Sequence, residues 1–97
     1  MNNEYILDFT ELIRNLNSEE VLVLADLENT DRFNPVTIKD ILESDLAVRI
    51  NAKHSKIYFI LGRLKIIGAV GTVNTGHYYG YYIKDNGKKI LKYLSEN

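Results

Sequence analysis

The basic residues of this 97-residue chain are concentrated in a stretch that contains no acid. Residues 1–45 carry eleven acidic and three basic side chains, a net charge of −8, whereas residues 46–84 carry six basic side chains and no Asp or Glu. Residues 85–97 add three lysines and two acids, so the net charge of −1 for the whole chain conceals this division. A basic surface set against an acidic remainder favours a polyanion as the binding partner.

The residue types give little support for metal binding, disulfide bonds or catalysis. The chain has no cysteine, which excludes a disulfide framework, a thiolate metal site and a cysteine nucleophile. His54 and His77 are the only histidines, and they lack the spacing of a metal site. No Ser/His/Asp set and no phosphate-binding glycine loop is present, and the acids of the first half are expected on helix surfaces. We therefore expect no enzymatic activity, no metal and no cofactor.

The size and composition are those of one globular domain. An apolar fraction of 45% and a charged fraction of 26% are ordinary values for such a domain, and the length suits one hydrophobic core. No apolar run approaches the roughly 20 residues of a membrane helix, and the N-terminus lacks the basic start and apolar segment of an export signal. We expect a cytoplasmic protein, from a prokaryote or one of its viruses or plasmids, with no membrane partner.

Apolar spacing predicts three helices in the first half of the chain. Residues 4–16 carry an apolar stripe at helical spacing, and Asn17 or Ser18 can cap a second helix that follows. Beyond a loop closed by the only proline, residues 36–44 are predicted to form a short third helix. The stretch 45–51 either extends that helix or forms the turn of a helix-turn-helix.

The second half is predicted to contain a long helix, a β-hairpin and a final helix. Apolar residues at i, i+3, i+4 and i+7 indicate the long helix, which Gly68 ends because glycine readily takes the left-handed cap conformation. β-Branched and aromatic runs indicate the strands, and the Gly76 that ends the Asn-Thr-Gly between them is typical of a three-residue hairpin loop. The elements in order are residues 52–67, 69–73, 78–83 and 88–94.

Two stretches of this second half resemble known transcriptional regulators. The run from Ile57 to Val70, IYFILGRLKIIGAV, resembles the recognition helix and the start of the wing in PadR-like and MarR-like proteins. The run from Tyr81 to Leu91, YYIKDNGKKIL, resembles the end of their wing. The resemblance covers residues 18–94. It departs from the usual pattern where Lys65 replaces an acid and Lys84 replaces a threonine.

The resemblance implies an α+β, winged helix-turn-helix fold, in which a three-helix core carries a β-hairpin wing and is flanked by N- and C-terminal helices. We accordingly predict a single domain over residues 1–97. Residues 1–16 would form the N-terminal flanking helix, and residues 17–94 would form the winged-helix core.

The same resemblance implies sequence-specific binding of double-stranded DNA, as a transcriptional regulator, most simply a repressor. In this motif the recognition helix enters the major groove with its N-terminal part and one exposed face, and the wing tip reaches the backbone or the minor groove. The candidate DNA-binding residues are Lys53, His54, Ser55, Lys56, Tyr58, Phe59, Arg63, Lys65, Asn74, Thr75 and His77.

We also expect a homodimer. A single winged helix buries only about 600–1,000 Å² against DNA, and most such proteins act as symmetric dimers. The first predicted helix has more apolar surface than one face needs, and the last helix can add a tyrosine to it. The candidate dimerisation residues are Tyr5, Phe9, Leu12, Leu16 and Tyr93. The alternative is that the first helix folds back onto its own core.

Two other functions stay open at this point. An exposed pair, Tyr58 and Phe59, together with an uncharged wing tip, would suit a winged helix that binds protein. Tyrosines 78, 79, 81 and 82 could instead stack the bases of a single strand in a replication-associated protein, although such residues are more often packed on the sheet.

Overall fold

The computed structural model of the chain describes residues 9–96. Within them the chain forms six helices and one two-stranded antiparallel sheet, so the predicted α+β, winged helix-turn-helix fold is confirmed. The elements are α1 (Phe9–Arg14), α2 (Ser18–Asp26), α3 (Ile38–Leu42), α4 (Asp45–Arg49), α5 (His54–Ile66), β1 (Val70–Asn74), β2 (Tyr79–Ile83) and α6 (Asp85–Ser95). None of the described helices is long and apolar enough to cross a membrane.

A capping box starts α2, as the polar residues before it led us to expect. The side chain of Asn17 accepts a hydrogen bond from the backbone N–H of Glu20 at 2.8 Å, and the Glu20 carboxylate accepts one from the backbone N–H of Asn17 at 3.0 Å. Each of these bonds satisfies an N–H group that the first turn of a helix would otherwise leave unpaired. Thr37 and Asp40 form the same reciprocal pair at the start of α3.

The segment before α3 is paired with the hairpin, which sequence reasoning missed. The backbone N–H of Val36 donates to the carbonyl of Tyr81 at 2.9 Å, and the N–H of Tyr81 donates back to Val36 at 2.7 Å. Val36 had been assigned to the third helix, which is wrong: α3 begins two residues later. This single bridge attaches the start of α3 to β2.

The undecided stretch 45–51 contains a helix of its own and then the turn of the helix-turn-helix. α4 ends at Arg49, and Asn51 adopts a left-handed conformation with φ of 50°. Asparagine tolerates this region better than most residues, so it can reverse the chain sharply. The N–H of Ala52 then donates to the carbonyl of Ala47 at 2.9 Å, and α5 starts at His54 rather than at Ala52.

The hairpin is shifted by one residue relative to the prediction. β1 and β2 pair from Val70 opposite Ile83 to Asn74 opposite Tyr79, so the loop consists of residues 75–78, and Asn74, which was predicted in the loop, ends β1. Gly68 ends α5 as predicted and has a positive φ of 78°.

The last helix begins at Asp85, three residues earlier than predicted. Gly87 falls between the predicted strand 78–83 and the predicted helix 88–94, but it lies in the first turn of α6 and is buried. A Cβ atom there would lie 2.5 Å from the carbonyl oxygen of Ala69 and 2.7 Å from the side chain of Ile83. Glycine therefore allows α6 to pack closely on the base of the hairpin.

The core lies where α2, α5, α6 and the sheet meet. Its largest fully buried apolar side chains come from every one of these elements and from α3. They are Val23, Leu24, Leu27, Ile41, Ile57, Leu61, Leu64, Val70 and Ile90. Ile13 of α1 also joins this cluster, so the N-terminal helix is attached to the domain.

Two helical glycines provide a matched test of this packing. Gly87→Ala should lower the free energy of unfolding by about 1–3 kcal/mol, because the added methyl group has no space. Gly62→Ala should raise it by about 0.5–1 kcal/mol, because alanine is the better helix former and nothing lies within 4 Å of the added carbon. Urea denaturation measures both, and equal effects would contradict the close approach at Gly87.

Candidate nucleic-acid interface

The long helix α5 buries one face and leaves three sets of side chains outside the core. Ile57, Ile60, Leu61 and Leu64 are buried. From the helical repeat, the remaining positions divide into a side towards α2, a side towards α3 and the hairpin, and an outer face. This division decides which of the predicted DNA-binding residues can reach a ligand.

On the side towards α2, two ion pairs hold the basic residues. Lys56 Nζ lies 2.7 Å from a carboxylate oxygen of Glu19 and also donates to the carbonyl of Ile50 at 3.2 Å. Arg63 Nε lies 2.7 Å from a carboxylate oxygen of Glu20. Both bases were predicted to contact DNA, and in this structure each is paired with an acid of α2.

Glu20 differs from the surface acid that the sequence led us to expect. Its side chain is only 1% exposed, whereas that of its partner Arg63 is 49% exposed. The expectation that all acids of the first half lie on helix surfaces is wrong at this position. The spacing Asn17-x-x-Glu20, a capping-box pattern, was the signal that could have indicated a structural role.

On the side towards the hairpin, α5 carries two rings and a lysine that forms no ion pair with a described residue. The rings of His54 and Tyr58 are stacked, with centroids 6.3 Å apart. Lys65 Nζ donates to the hydroxyl of Tyr79 at 3.3 Å and lies 6.0 Å from the centroid of its ring. Hydrogen bonding to Thr72 and to Lys65 lowers the pKa of Tyr79.

The N-terminus of α5 has no side-chain cap and no acidic residue of its own. Lys53 occupies the cap position without a side-chain hydrogen bond to the helix, and no Asp or Glu lies in the first turn. The N–H groups and the positive end of the helix dipole are therefore available to an anion. Lys53, His54 and Ser55 are all exposed there, as the sequence predicts for a helix that enters a groove.

The outer face of α5 (Ser55, Phe59, Gly62 and Ile66) becomes apolar along its length. Phe59 is 66% exposed and Ile66 is 85% exposed, while the neighbouring Tyr58 is also exposed. Aromatic and aliphatic side chains at such exposure are unusual on a solvated helix. This face can contact either a DNA groove or a protein.

The three predicted wing residues lie together at the exposed loop. Asn74 accepts a hydrogen bond from the N–H of Gly76 at 3.0 Å, and Thr75 accepts bonds from the N–H groups of His77 and Tyr78 at 3.3 Å each. Two of the three side chains therefore also fix the shape of the turn. His77 is exposed and has no such bond from its side chain in the described contacts.

The tyrosine cluster is divided between the core and the surface. Tyr81 is buried, and this burial, followed by the charges of Tyr79 and Tyr58, raises its pKa. Tyr82 is half-buried, whereas Tyr78 and Tyr79 are exposed. Because only two of the four rings are exposed, a continuous stacking platform for single strands is not formed.

The predicted dimerisation residues are only partly described. Tyr5 and the side chain of Phe9 lie outside the described part of the chain. Leu12, Leu16 and Tyr93 are half-buried and pack against the core of their own domain.

Solved structures share this fold across almost the whole chain. TubR from Bacillus megaterium pBM400 is 22% identical, with a TM-score of 0.71 over 92% of this chain and 97% of its own. The transcriptional regulator Tm0710 from Thermotoga maritima is 14% identical, with a TM-score of 0.65 over 91% of this chain. The multiple antibiotic-resistance repressor MarR from Listeria monocytogenes is 14% identical, with a TM-score of 0.62 over 87%.

These likenesses establish the fold as a winged helix-turn-helix. The chain spans 59% of the length of the Thermotoga protein and 52% of that of the Listeria repressor, so both contain further structure. No protein-family model matches the chain, and no curated protein sequence matches it.

The two ion pairs should differ in strength because their acids differ in burial. Arg63→Ala should lower the free energy of unfolding by about 1–3 kcal/mol, since it leaves the buried Glu20 carboxylate without its charged partner. Lys56→Ala should cost about 0–1 kcal/mol, because Glu19 is partly solvated. Urea denaturation of the two variants tests this, and an equal loss in both would contradict a structural role for Glu20.

Proposed function

We propose that this protein binds double-stranded DNA in a sequence-specific manner and acts as a transcriptional regulator, in the form of a homodimeric repressor. One observation supports this above the others. The acid-free stretch 46–84 folds into α4, α5 and the hairpin, so five of its six basic residues lie on the helix-turn-helix. A basic helix beside a hairpin is the arrangement by which winged helices approach a duplex.

Specificity is assigned to the N-terminal turn of α5. B-DNA admits a helix into its major groove, where side-chain donors and acceptors distinguish the base pairs. Lys53, His54 and Ser55 offer such groups on exposed positions, next to the unpaired N–H groups of the helix start. The wing residues Asn74, Thr75 and His77 would add contacts to the backbone or the minor groove.

The regulatory role is supported by the names of the structural neighbours. One is described as a transcriptional regulator and another as a repressor. Both share the winged-helix fold with this chain.

Selection of bound duplexes from a random pool, followed by sequencing, tests the function directly. Ser55→Ala should remove the preference for the selected sequence, by about 1–3 kcal/mol of discrimination, while weak binding to any duplex remains. Lys88→Ala, an exposed lysine on α6, is the control and should leave the preference unchanged. If no sequence is enriched, or if both variants lose the same preference, the assignment of α5 as recognition helix is wrong.

A second candidate function, protein binding, is favoured by the apolar outer face of α5. Phe59 and Ile66 lie one and three turns beyond the basic N-terminal end, and Gly62 between them leaves space for close approach of another helix. Burying such side chains stabilises by about 1.5–3 kcal/mol each, so a second copy of the chain can gain by covering them. A dimer formed in this way would leave the polar start of α5 free.

The oligomeric state separates this surface from the one predicted in the first helix. If the outer face of α5 is the contact, Phe59→Glu should dissociate the dimer in sedimentation equilibrium, because a carboxylate would be buried without a partner. Phe9→Glu should dissociate it if the N-terminal helix is the contact. Ala25→Glu places the same acid on an exposed position of α2 and should have no effect. A monomer in the unmodified protein at micromolar concentration would contradict both surfaces.

A further inference from the structure

A groove of about 920 Å³ lies between α3, α5 and the hairpin. None of the residues that line it is acidic. Its polar groups come from all three elements and from the residue that caps α3, and they are Thr37, Lys39, His54, Tyr58, Lys65, Tyr78, Tyr79 and Tyr81. Lys39 is in no binding site predicted from the sequence, and Tyr78 and Tyr79 were considered only for stacking the bases of a single strand.

We propose that this groove seats one sugar-phosphate strand of duplex DNA, and that Lys39 and Lys65 contact its phosphates. This assignment rests on the proposed DNA-binding function. It adds α3 to the interface and removes Lys56 and Arg63 from the phosphate contacts.

The groove in the protein lies where a sugar-phosphate strand would pass if α5 entered the major groove and the hairpin reached the minor groove. The major and minor grooves of DNA are separated by one sugar-phosphate strand. A protein that places a helix in the major groove and a hairpin tip at the minor groove must therefore straddle that strand. The groove is the space between those two elements, and α3 lines it as a third element because the Val36–Tyr81 bridge holds the start of that helix against the hairpin.

The charges of the groove complement a polyanion. Lys39 is exposed and forms no ion pair with any described residue, and Lys65 is engaged only by the neutral hydroxyl of Tyr79. Because that hydroxyl accepts the bond from Lys65, its own O–H can donate to a phosphate oxygen. The apolar side chains of Ile38 and Leu42 and the rings of the tyrosines give the sugars a surface to pack against.

The other basic side chains of α5 are engaged elsewhere. Moving Arg63 to a phosphate would leave the buried Glu20 carboxylate unpaired, and this costs far more than an exposed contact returns. Lys56 is held by Glu19 and by a backbone carbonyl. These two residues therefore position α5, whereas Lys39 and Lys65 are free to neutralise DNA.

The salt dependence of binding to a labelled random-sequence duplex of about 30 base pairs, three helical turns, tests this assignment. Each phosphate contact contributes about 0.9 to the slope of log affinity against log salt. Lys39→Gln and Lys65→Gln should each reduce the slope by about 0.9 and weaken binding by about 3- to 10-fold at low salt. At position 65, Gln keeps a polar side chain that can still donate to Tyr79. Lys39→Arg and Lys65→Arg keep the charge and should therefore keep the slope of the unmodified protein.

Two controls make the result specific to the groove. Lys88→Gln removes a charge from α6 and should leave the slope unchanged. The double variant Glu20→Gln/Arg63→Gln replaces the ion pair by an amide pair and should also leave the slope unchanged. If that double variant flattens the slope while Lys39→Gln and Lys65→Gln do not, the groove is not the phosphate seat, although the protein binds DNA. If the unmodified protein binds no duplex at low salt, the proposed function itself is overturned.

Discussion

The carboxylate of Glu20 is the group on which the arrangement of the recognition helix depends. It caps α2 through the N–H of Asn17 and, with its other oxygen, pairs with Arg63 of α5. A carboxylate that is 1% exposed is costly unless its oxygens are satisfied, so these partners are required together. The same side chain thus begins one helix and fixes the rotation of another about its axis.

This rotation determines what each side of α5 can do. With Arg63 turned towards α2, Lys56, two turns earlier on the same side, meets Glu19. The acids of α2 then neutralise two of the six basic residues in the acid-free stretch 46–84. What remains for a ligand is the open N-terminus, the side facing the hairpin and an apolar outer face. The acidic first half of the chain therefore determines which basic side chains of α5 are paired within the domain.

Local patterns gave most of the fold, and long-range contacts account for what they missed. The apolar repeat of α5, the stop at Gly68 and the hairpin follow from neighbouring residues, and these were predicted correctly apart from shifts of one or two residues. The bridge at Val36 is a single pair with no periodicity, so nothing local indicates it. Glycine at position 87 locally disfavours a helix. Its role in α6 becomes clear only from the close approach of Ala69, which leaves no space for a Cβ atom. The candidate interface stays a prediction. The pairing of its Arg63 with Glu20 could not be predicted from spacing, because Glu20 lies on a distant helix.

The polar and apolar residues on the exposed part of α5 occupy different turns of the helix. Lys53, His54 and Ser55 occupy its first turn, where unpaired N–H groups favour an anion. Phe59 and Ile66 occupy later turns of the outer face, which carries no basic side chain. Removing these apolar side chains from water is favourable. A surface of this kind can hold a second copy of the chain and still direct the start of the helix into a groove. The groove between α3, α5 and the hairpin runs along another side of α5, from His54 in the first turn to Lys65 in the last, and Lys39 of α3 lines it as well.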